Sequence, residues 1–318
     1  MPIYSKLGAL ISRGRRALLA TIATMVVWGL NFAFVKHLLD QIGVGAFLFI
    51  RFAALPLLGL ALLAIVFRGK LARTWPKRED LPRFILCALV GHTVHIAAVM
   101  SGMNLSTAFS SSLVLMGGPL FTLVILAALG AERLGAQQVA GTLLACGGIA
   151  LFLSDKFAGG AAQAGYGDLL LILAALCFSL YTVLAQPLTK RYGPLIVLSY
   201  TLLFSAPPIL LASFGGFMRI DPAKLTPLVW LGLFWALVLS SFLGWLAWGW
   251  VNAVRGVARS APFNYLMPPI AGFSAWLTLG EGFTWLKVLG AAVTMAGVAW
   301  AQFGGRPPPR AAAQPDSG

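Results

Sequence analysis

Two histidines, His92 and His95, are the residues of this sequence best placed to do chemistry inside an apolar segment. Their spacing of three residues places both imidazoles on one face of a helix. An imidazole titrates near neutral pH, and it also makes hydrogen bonds. Three roles therefore stay open: hydrogen bonding to a solute, polar contact between helices, or proton coupling. Two histidines are too few for a closed metal site, and no metal or cofactor is predicted.

Among the basic residues, Arg51 is the one that falls inside a predicted membrane span rather than near its end. A guanidinium in that position is costly unless it reaches the membrane surface or finds partners. One interpretation is that Arg51 extends to the outer surface or pairs with Asp40. The other is that it grips the carboxylate of a solute through two parallel hydrogen bonds.

Pro119 and Pro268 interrupt two apolar segments at matching places. A proline inside a helix has no N–H to donate, so the carbonyls of Leu115 and Asn264 are predicted to be left free. Paired interruptions of this kind are typical of a transport site. The alternative is a structural kink, with the neighbouring serines bonded back to their own helix.

Polar and aromatic residues near these positions complete the predicted site. Trp28 and Asn31 share one side of the first helix, and Ser241 with Trp245 gives a similar stripe later in the chain. Such a wall suits a small amphipathic solute. The predicted solute-binding residues are Trp28, Asn31, Arg51, His92, His95, Ser111, Ser112, Tyr181, Trp245, Asn264 and Tyr265.

The composition defines the elements that must position these residues. Hydrophobic residues make up 59% of the chain and charged residues 10%, against about 25% charged in a soluble domain. The apolar runs approach the roughly 20 residues that cross a bilayer as a helix. The predicted spans are 17–35, 44–66, 83–102, 107–128, 136–154, 168–187, 194–215, 226–250, 257–279 and 284–303. The predicted fold class is an all-α polytopic membrane protein with ten transmembrane helices.

The basic residues predict the orientation. With the N-terminus in the cytoplasm, 17 of the 23 Lys and Arg residues fall on the cytoplasmic side and five on the outer side. The positive-inside rule then places both termini in the cytoplasm. The net charge of +14 is explained by these short loops, which contact anionic headgroups. Membrane lipid is therefore an expected partner, and nucleic acid is not.

The chain repeats itself at an offset of 149 residues. Pro119, Glu132, Gly141 and Gly148 recur as Pro268, Glu281, Gly290 and Gly297. Five spans in each copy give two inverted five-helix repeats, as in secondary transporters. The predicted units are residues 1–160, residues 161–303 and a disordered tail, 304–318.

These motifs together resemble the EamA family of the drug/metabolite transporter superfamily. The resemblance rests on Trp28-Gly29-Leu30-Asn31-Phe32, Arg51-Phe52, Gly118-Pro119, Glu132-Arg133 and the later copies in the second half. It implies a ten-helix carrier of the bacterial inner membrane. Helices one to four and six to nine would surround a central cavity, and the usual activity would be export of amino acids or related metabolites.

Two structural questions follow from the repeat. Glu132 and Glu281 are expected to favour the N-termini of the helices that follow them, rather than to act as coupling carboxylates. The small residues of the fifth and tenth helices permit close contact, either within the chain or at a dimer face. Monomer and homodimer both stay open.

The function predicted from these observations is export of small amphipathic metabolites, with amino acids or their derivatives favoured, by alternating access. The alternative is efflux of drugs or lipophilic cations, which the lack of an acidic residue well inside any span disfavours. A channel or a membrane protein without transport activity is the alternative from another class. No catalytic residues are predicted, because the spans show no nucleophile with a base and no carboxylate pair.

Overall fold

The computed structural model describes residues 2–68, 70–129, 135–158 and 162–303, and within these ranges the chain forms helices and no strand. This confirms the all-helical class. Glu132 and the predicted tail lie outside the described residues. The α-helices are α1 (Pro2–Val66), α2 (Leu81–Ala88), α3 (His95–Asn104), α4 (Ala108–Leu115), α5 (Gly118–Ala128), α6 (Ala136–Ala158), α7 (Ala162–Tyr192), α8 (Pro194–Phe217), α9 (Pro227–Phe234), α10 (Trp245–Arg255), α11 (Val257–Ser260), α12 (Met267–Leu279) and α13 (Trp285–Phe303).

Helix α1 is divided at Gly43, whose φ of 78° and ψ of 162° are not helical. A positive φ of this size favours glycine, which has no Cβ to clash. The second arm therefore begins where the sequence predicted a span, at residue 44. The first arm continues as helix past residue 35, where the predicted span ends. Lys36 and Asp40 pair across one helical turn there, at 3.6 Å.

Six helical stretches are long and apolar enough to cross a membrane, counted over the described residues. They are Gly14–Val66, Leu81–Asn104, Ala108–Ala128, Gly165–Tyr192, Pro194–Phe217 and Pro227–Arg255. Two shorter apolar helices, Val139–Phe152 and Trp285–Ala301, lie in α6 and α13. The chain is a multi-pass membrane protein, and helices satisfy its backbone in lipid.

Two of these stretches change their helical period in the middle. The π-helical segment Leu89–Val94 joins α2 to α3, and a second, Trp235–Gly244, joins α9 to α10. A π-helix closes each backbone hydrogen bond over five residues instead of four, which changes the direction of the side chains relative to an α-helix. Neither segment was predicted, since both read as ordinary apolar helix.

Pro119 and Pro268 each stand in the first turn of a new helix, α5 and α12. In this turn the amide has no helical partner, so a proline costs little. The N–H of Met267 donates to the Asn264 carbonyl. The prediction that Pro268 leaves this carbonyl free was therefore wrong, because the 3₁₀ segment Ala261–Leu266 before the proline supplies its own bond.

The glycines of α6 and α13 bring these two helices into close contact within the chain. A Cβ added to Gly141 would lie 2.6 Å from the Gly297 carbonyl oxygen, and one on Gly290 would lie 2.7 Å from the Phe152 nitrogen. Such contact between helix backbones is what small residues permit in a membrane. The contact that the sequence left open is thus made inside one chain.

Candidate functional site

A central cavity of about 740 Å³, a volume that includes the space at its mouth, lies between the two halves of the chain. Helix α1 contributes Trp28, Asn31, Phe32 and Arg51 to its lining. This helix packs against α3, α8, α10 and α12. Six of the predicted site residues line the cavity: Trp28, Asn31, Arg51, His95, Trp245 and Asn264.

An aromatic group forms one wall of this cavity. The Trp28 and Trp245 ring centroids are 6.4 Å apart, and Phe178 lies 6.0 Å from Trp28 and 5.6 Å from Trp245. All three pairs meet edge to face, the arrangement that the charge distribution of aromatic rings favours. This wall offers an apolar surface whose shape is fixed by packing.

Arg51 lies opposite Ser241, and its Nη1 donates to the Ser241 hydroxyl oxygen. Its side chain is 4% exposed, so it does not reach the membrane surface. Asp40 pairs with Lys36 instead, so the pairing with Asp40 that the sequence left open is not formed. Arg51 is the single Asp, Glu, Lys or Arg among the described residues that line the cavity.

The π-helical segment Trp235–Gly244 explains how two serines contribute to the site. The Ser241 hydroxyl donates to the Ala236 carbonyl, five residues back, at 2.5 Å. The Ser240 carbonyl accepts a hydrogen bond from the indole nitrogen of Trp28 at 3.0 Å. The widened turn therefore presents one hydroxyl to Arg51 and one carbonyl to Trp28.

The two histidines take different positions. His95 lines the cavity, and its Nδ1 donates to the Ala174 carbonyl at 2.8 Å, which directs Nε2 away from α7. His92 lies behind the wall, 4.5 Å from the Trp245 ring and 5.2 Å from the Tyr181 ring. Its Nε2 lies 3.1 Å from the hydroxyl of Thr201, so it joins two helices.

Asn31 and Asn264 bring amide groups to the cavity from α1 and from the 3₁₀ segment before α12. In the described structure, the Oδ1 atoms of both residues are buried without a hydrogen-bond partner. A buried acceptor left unpaired costs about 1–3 kcal/mol. A solute that donates a hydrogen bond would recover this energy.

Four predicted residues besides His92 do not line the cavity. The hydroxyls of Ser111 and Ser112 donate to Thr107 and Phe109 carbonyls of their own helix, each at 2.7 Å. Their placement agrees with the structural alternative for the proline breaks. Tyr181 packs against Trp245 outside the wall. Tyr265 lies in a separate apolar cluster of buried side chains.

Glu281 binds a helix other than the one expected. Its carboxylate oxygens accept from the N–H groups of Ala108 and Phe109, at 2.6 and 3.2 Å. These amides begin α4, whereas the sequence predicted an interaction with the helix after Glu281. The physical principle is the same, since a carboxylate stabilises free amides at a helix N-terminus. The partner differs because α12 packs against α4.

An ionic cluster ties α7 to the start of α2. The Arg191 guanidinium lies 2.8 Å from the Asp80 carboxylate and 2.5 Å from that of Glu79, and Tyr192 donates to Asp80. Within the described chain, α3 lines the cavity as far as Met103, whereas α2 contributes no lining residue. The cavity therefore lies toward the other end of this helix pair.

Sequence reasoning missed part of the lining. Val99, Met100 and Met103 extend the cavity wall along the face of α3 that carries His95. Their spacings of four, five and eight residues from His95 were a usable helical signal. Ser240 and Met267 gave no comparable signal, because a carbonyl exposed by a π-helix and a methionine in an apolar run look ordinary in sequence.

Apolar helices surround this cavity in a multi-pass membrane protein, and similarity to known proteins identifies the family. The EamA-like transporter family model matches residues 15–154 and again residues 165–302. The chain therefore belongs to the EamA-like transporter family. The resemblance read from the sequence is confirmed.

Curated relatives and a solved structure resemble the chain over most of its length. A probable terminal-alkyne amino-acid exporter from Streptantibioticus cattleyicolor is 30% identical, over 89% of this chain and 92% of the relative. A probable amino-acid metabolite efflux pump from Salmonella typhimurium is 29% identical, over 90% and 94%. A protein of known crystal structure, 19% identical, aligns with a TM-score of 0.65 over 92% of this chain and 99% of that one. This last likeness concerns the fold.

Proposed function

We propose that this protein exports small amphipathic metabolites, amino acids or their derivatives, across the plasma membrane. The observation that carries the proposal is the central cavity, where an aromatic wall of Trp28, Phe178 and Trp245 stands beside a few buried polar groups. A site of this composition suits a solute with an apolar body and a polar end. The names of the two curated relatives point to the same class of solute.

The proposed architecture has ten spans in two inverted repeats, residues 1–160 and 161–303. Two family matches in one chain support the duplication. The break at Gly43 supports two spans within α1. With the basic residues on the cytoplasmic side, both termini are cytoplasmic, and the cavity opens toward the outer face.

Transport in this proposal proceeds by alternating access. The ionic cluster of Arg191, Glu79 and Asp80 then closes the cytoplasmic end while the cavity faces outward. The inward-facing state requires this cluster to separate and the outer ends of the helices to approach. Solute carriage follows from exchange between these two states.

Counterflow in proteoliposomes tests the proposal. Vesicles loaded with an unlabelled amino acid should accumulate the labelled form transiently and saturably. The panel should contain neutral amino acids and a lipophilic cation. Ohmic conductance without counterflow would indicate a channel, and counterflow of the cation alone would favour drug efflux.

A matched pair of tryptophan variants tests the site. Trp245→Ala removes a wall residue that is 8% exposed, whereas Trp276→Ala removes a side chain that is 56% exposed. The first variant should weaken counterflow and the second should leave it unchanged. Equal effects in both variants would argue against the cavity as the transport site.

A further inference from the structure

The guanidinium of Arg51 is buried beside the cavity with bonding capacity to spare. Nη1 is used by Ser241, whereas Nε has no hydrogen-bond partner in the described structure. A guanidinium has five N–H donors in a fixed fork. The group is therefore held in place at one nitrogen and left unsatisfied at another.

The charge of Arg51 is not neutralised in the described part of the chain. No carboxylate there lies within ion-pair distance of it, and no acidic residue lines the cavity. Burying an unpaired charge is strongly unfavourable. A carboxylate on a bound solute would neutralise this charge.

Ser241 fixes the direction of this cation. Its single hydroxyl proton goes to the Ala236 carbonyl, so its oxygen is left to accept from Arg51. The π-helical segment makes both contacts possible. A fixed guanidinium presents paired donors to a carboxylate in one orientation.

We propose that Arg51, positioned by Ser241, is the carboxylate-binding residue of the cavity, and that a solute must carry a carboxylate to be bound. The apolar part of the solute lies against the aromatic wall. The buried Oδ1 of Asn264 accepts from a solute ammonium group when one is present. This inference rests on the proposed function and defines its solute class as amino acids and related monocarboxylates, with cationic amines excluded.

Two matched solute series separate the charges. The first is L-leucine, 4-methylpentanoate and 3-methylbutylamine, and the second is L-phenylalanine, 3-phenylpropanoate and 2-phenylethylamine. Within each series the apolar group is constant. The first member carries both a carboxylate and an ammonium group, the second only the carboxylate and the third only the ammonium group. Binding is measured on purified protein by tryptophan fluorescence and thermal stabilisation, and carriage by counterflow.

The carboxylates of at least one series should bind and the amines should not. Losing a charge-assisted hydrogen bond weakens binding roughly tenfold to a hundredfold, so Arg51→Gln should lower carboxylate affinity by this factor. Arg219→Gln, at an exposed arginine, is the control. Ser241→Ala should raise KM with little change in kcat. Ser241→Thr keeps the hydroxyl, so its KM should match that of the unsubstituted protein. If Arg51→Gln does not fold, the comparison of Ser241→Ala with Ser241→Thr still tests the proposal.

The outcomes distinguish this inference from the proposed function. Binding of carboxylates without counterflow would support the Arg51 site and overturn the exporter. Counterflow in which the amines match the carboxylates would overturn the Arg51 site and leave the exporter standing. Stabilisation by no carboxylate, or unchanged selectivity in Arg51→Gln, would also overturn it.

Discussion

His92 and Ser241 lie 149 residues apart, each in a π-helical segment, and each bonds a residue from the other half of the chain. His92 contacts Thr201, and Ser241 contacts Arg51. At the same offset Arg51 matches Tyr200, the neighbour of Thr201. The two contacts are thus near-equivalent links between the two halves of the sequence, and the proposed alternating access would change both.

Trp28→Phe should destabilise the protein while keeping the aromatic wall. The variant removes the indole N–H that donates to the Ser240 carbonyl. An unpaired buried carbonyl costs about 1–3 kcal/mol. The expected result is a lower Tm in detergent, whereas Trp285→Phe, at an exposed tryptophan, should leave Tm unchanged. An unaltered Tm in Trp28→Phe would mean that the bond contributes nothing to stability.

His95→Asn and His95→Ala should behave differently. The asparagine amide can replace Nδ1 as donor to the Ala174 carbonyl, whereas alanine cannot. We expect normal folding and a raised KM for His95→Asn, and reduced folded protein for His95→Ala. Fluorescence size-exclusion profiles and counterflow measure the two effects. Identical behaviour of both variants would contradict this assignment.

His92→Gln tests proton coupling against a structural role. His92 lies behind the wall and bonds Thr201, so we expect lower stability with an unchanged pH profile of transport. Counterflow and accumulation driven by a pH gradient are measured on the same vesicles. Loss of accumulation with counterflow retained would instead assign His92 to coupling.

Glu281→Ala should destabilise the start of α4 by roughly 0.5–2 kcal/mol, the usual cost of losing a helix cap. Glu281→Gln keeps an acceptor oxygen and should lose less. Thermal unfolding in detergent measures the difference. Hydrogen exchange should rise at Ala108 and Phe109 more than at the start of α13. The reverse pattern would restore the partner expected from the sequence.

Asp80→Asn should shift the carrier toward its inward-facing state. The Arg191–Asp80 pair is partly exposed, so it contributes little to the free energy of unfolding. Its effect should appear in the balance between states. A cysteine introduced at the buried position Ala185 should react faster with a cytoplasmic thiol reagent in this variant. The exchanged pair, Asp80→Arg with Arg191→Asp, should return the rate toward its original value.

Local sequence rules predicted the all-helical class and part of the site. Gly43 and the proline-led helices follow from backbone preferences that act within a few residues. The cavity positions of Trp28, Asn31 and His95 follow from helical spacing. The π-helical segments, the Glu281 contact with α4 and the depth of Arg51 depend on packing between distant helices. No spacing within one segment encodes such contacts, so sequence reasoning placed Ser111, Ser112 and Tyr265 at the cavity and assigned Glu281 to the wrong helix.

The glycine contact between α6 and α13 joins two helices that are synthesised far apart in time. The ribosome completes α6 long before it begins α13, an interval of roughly ten seconds at typical synthesis rates. Throughout that time the glycine face of α6 lacks the helix that covers it in the finished protein. A nascent chain stalled before α13 therefore carries an uncovered helix groove, and membrane quality control has a physical feature by which to recognise the unfinished protein.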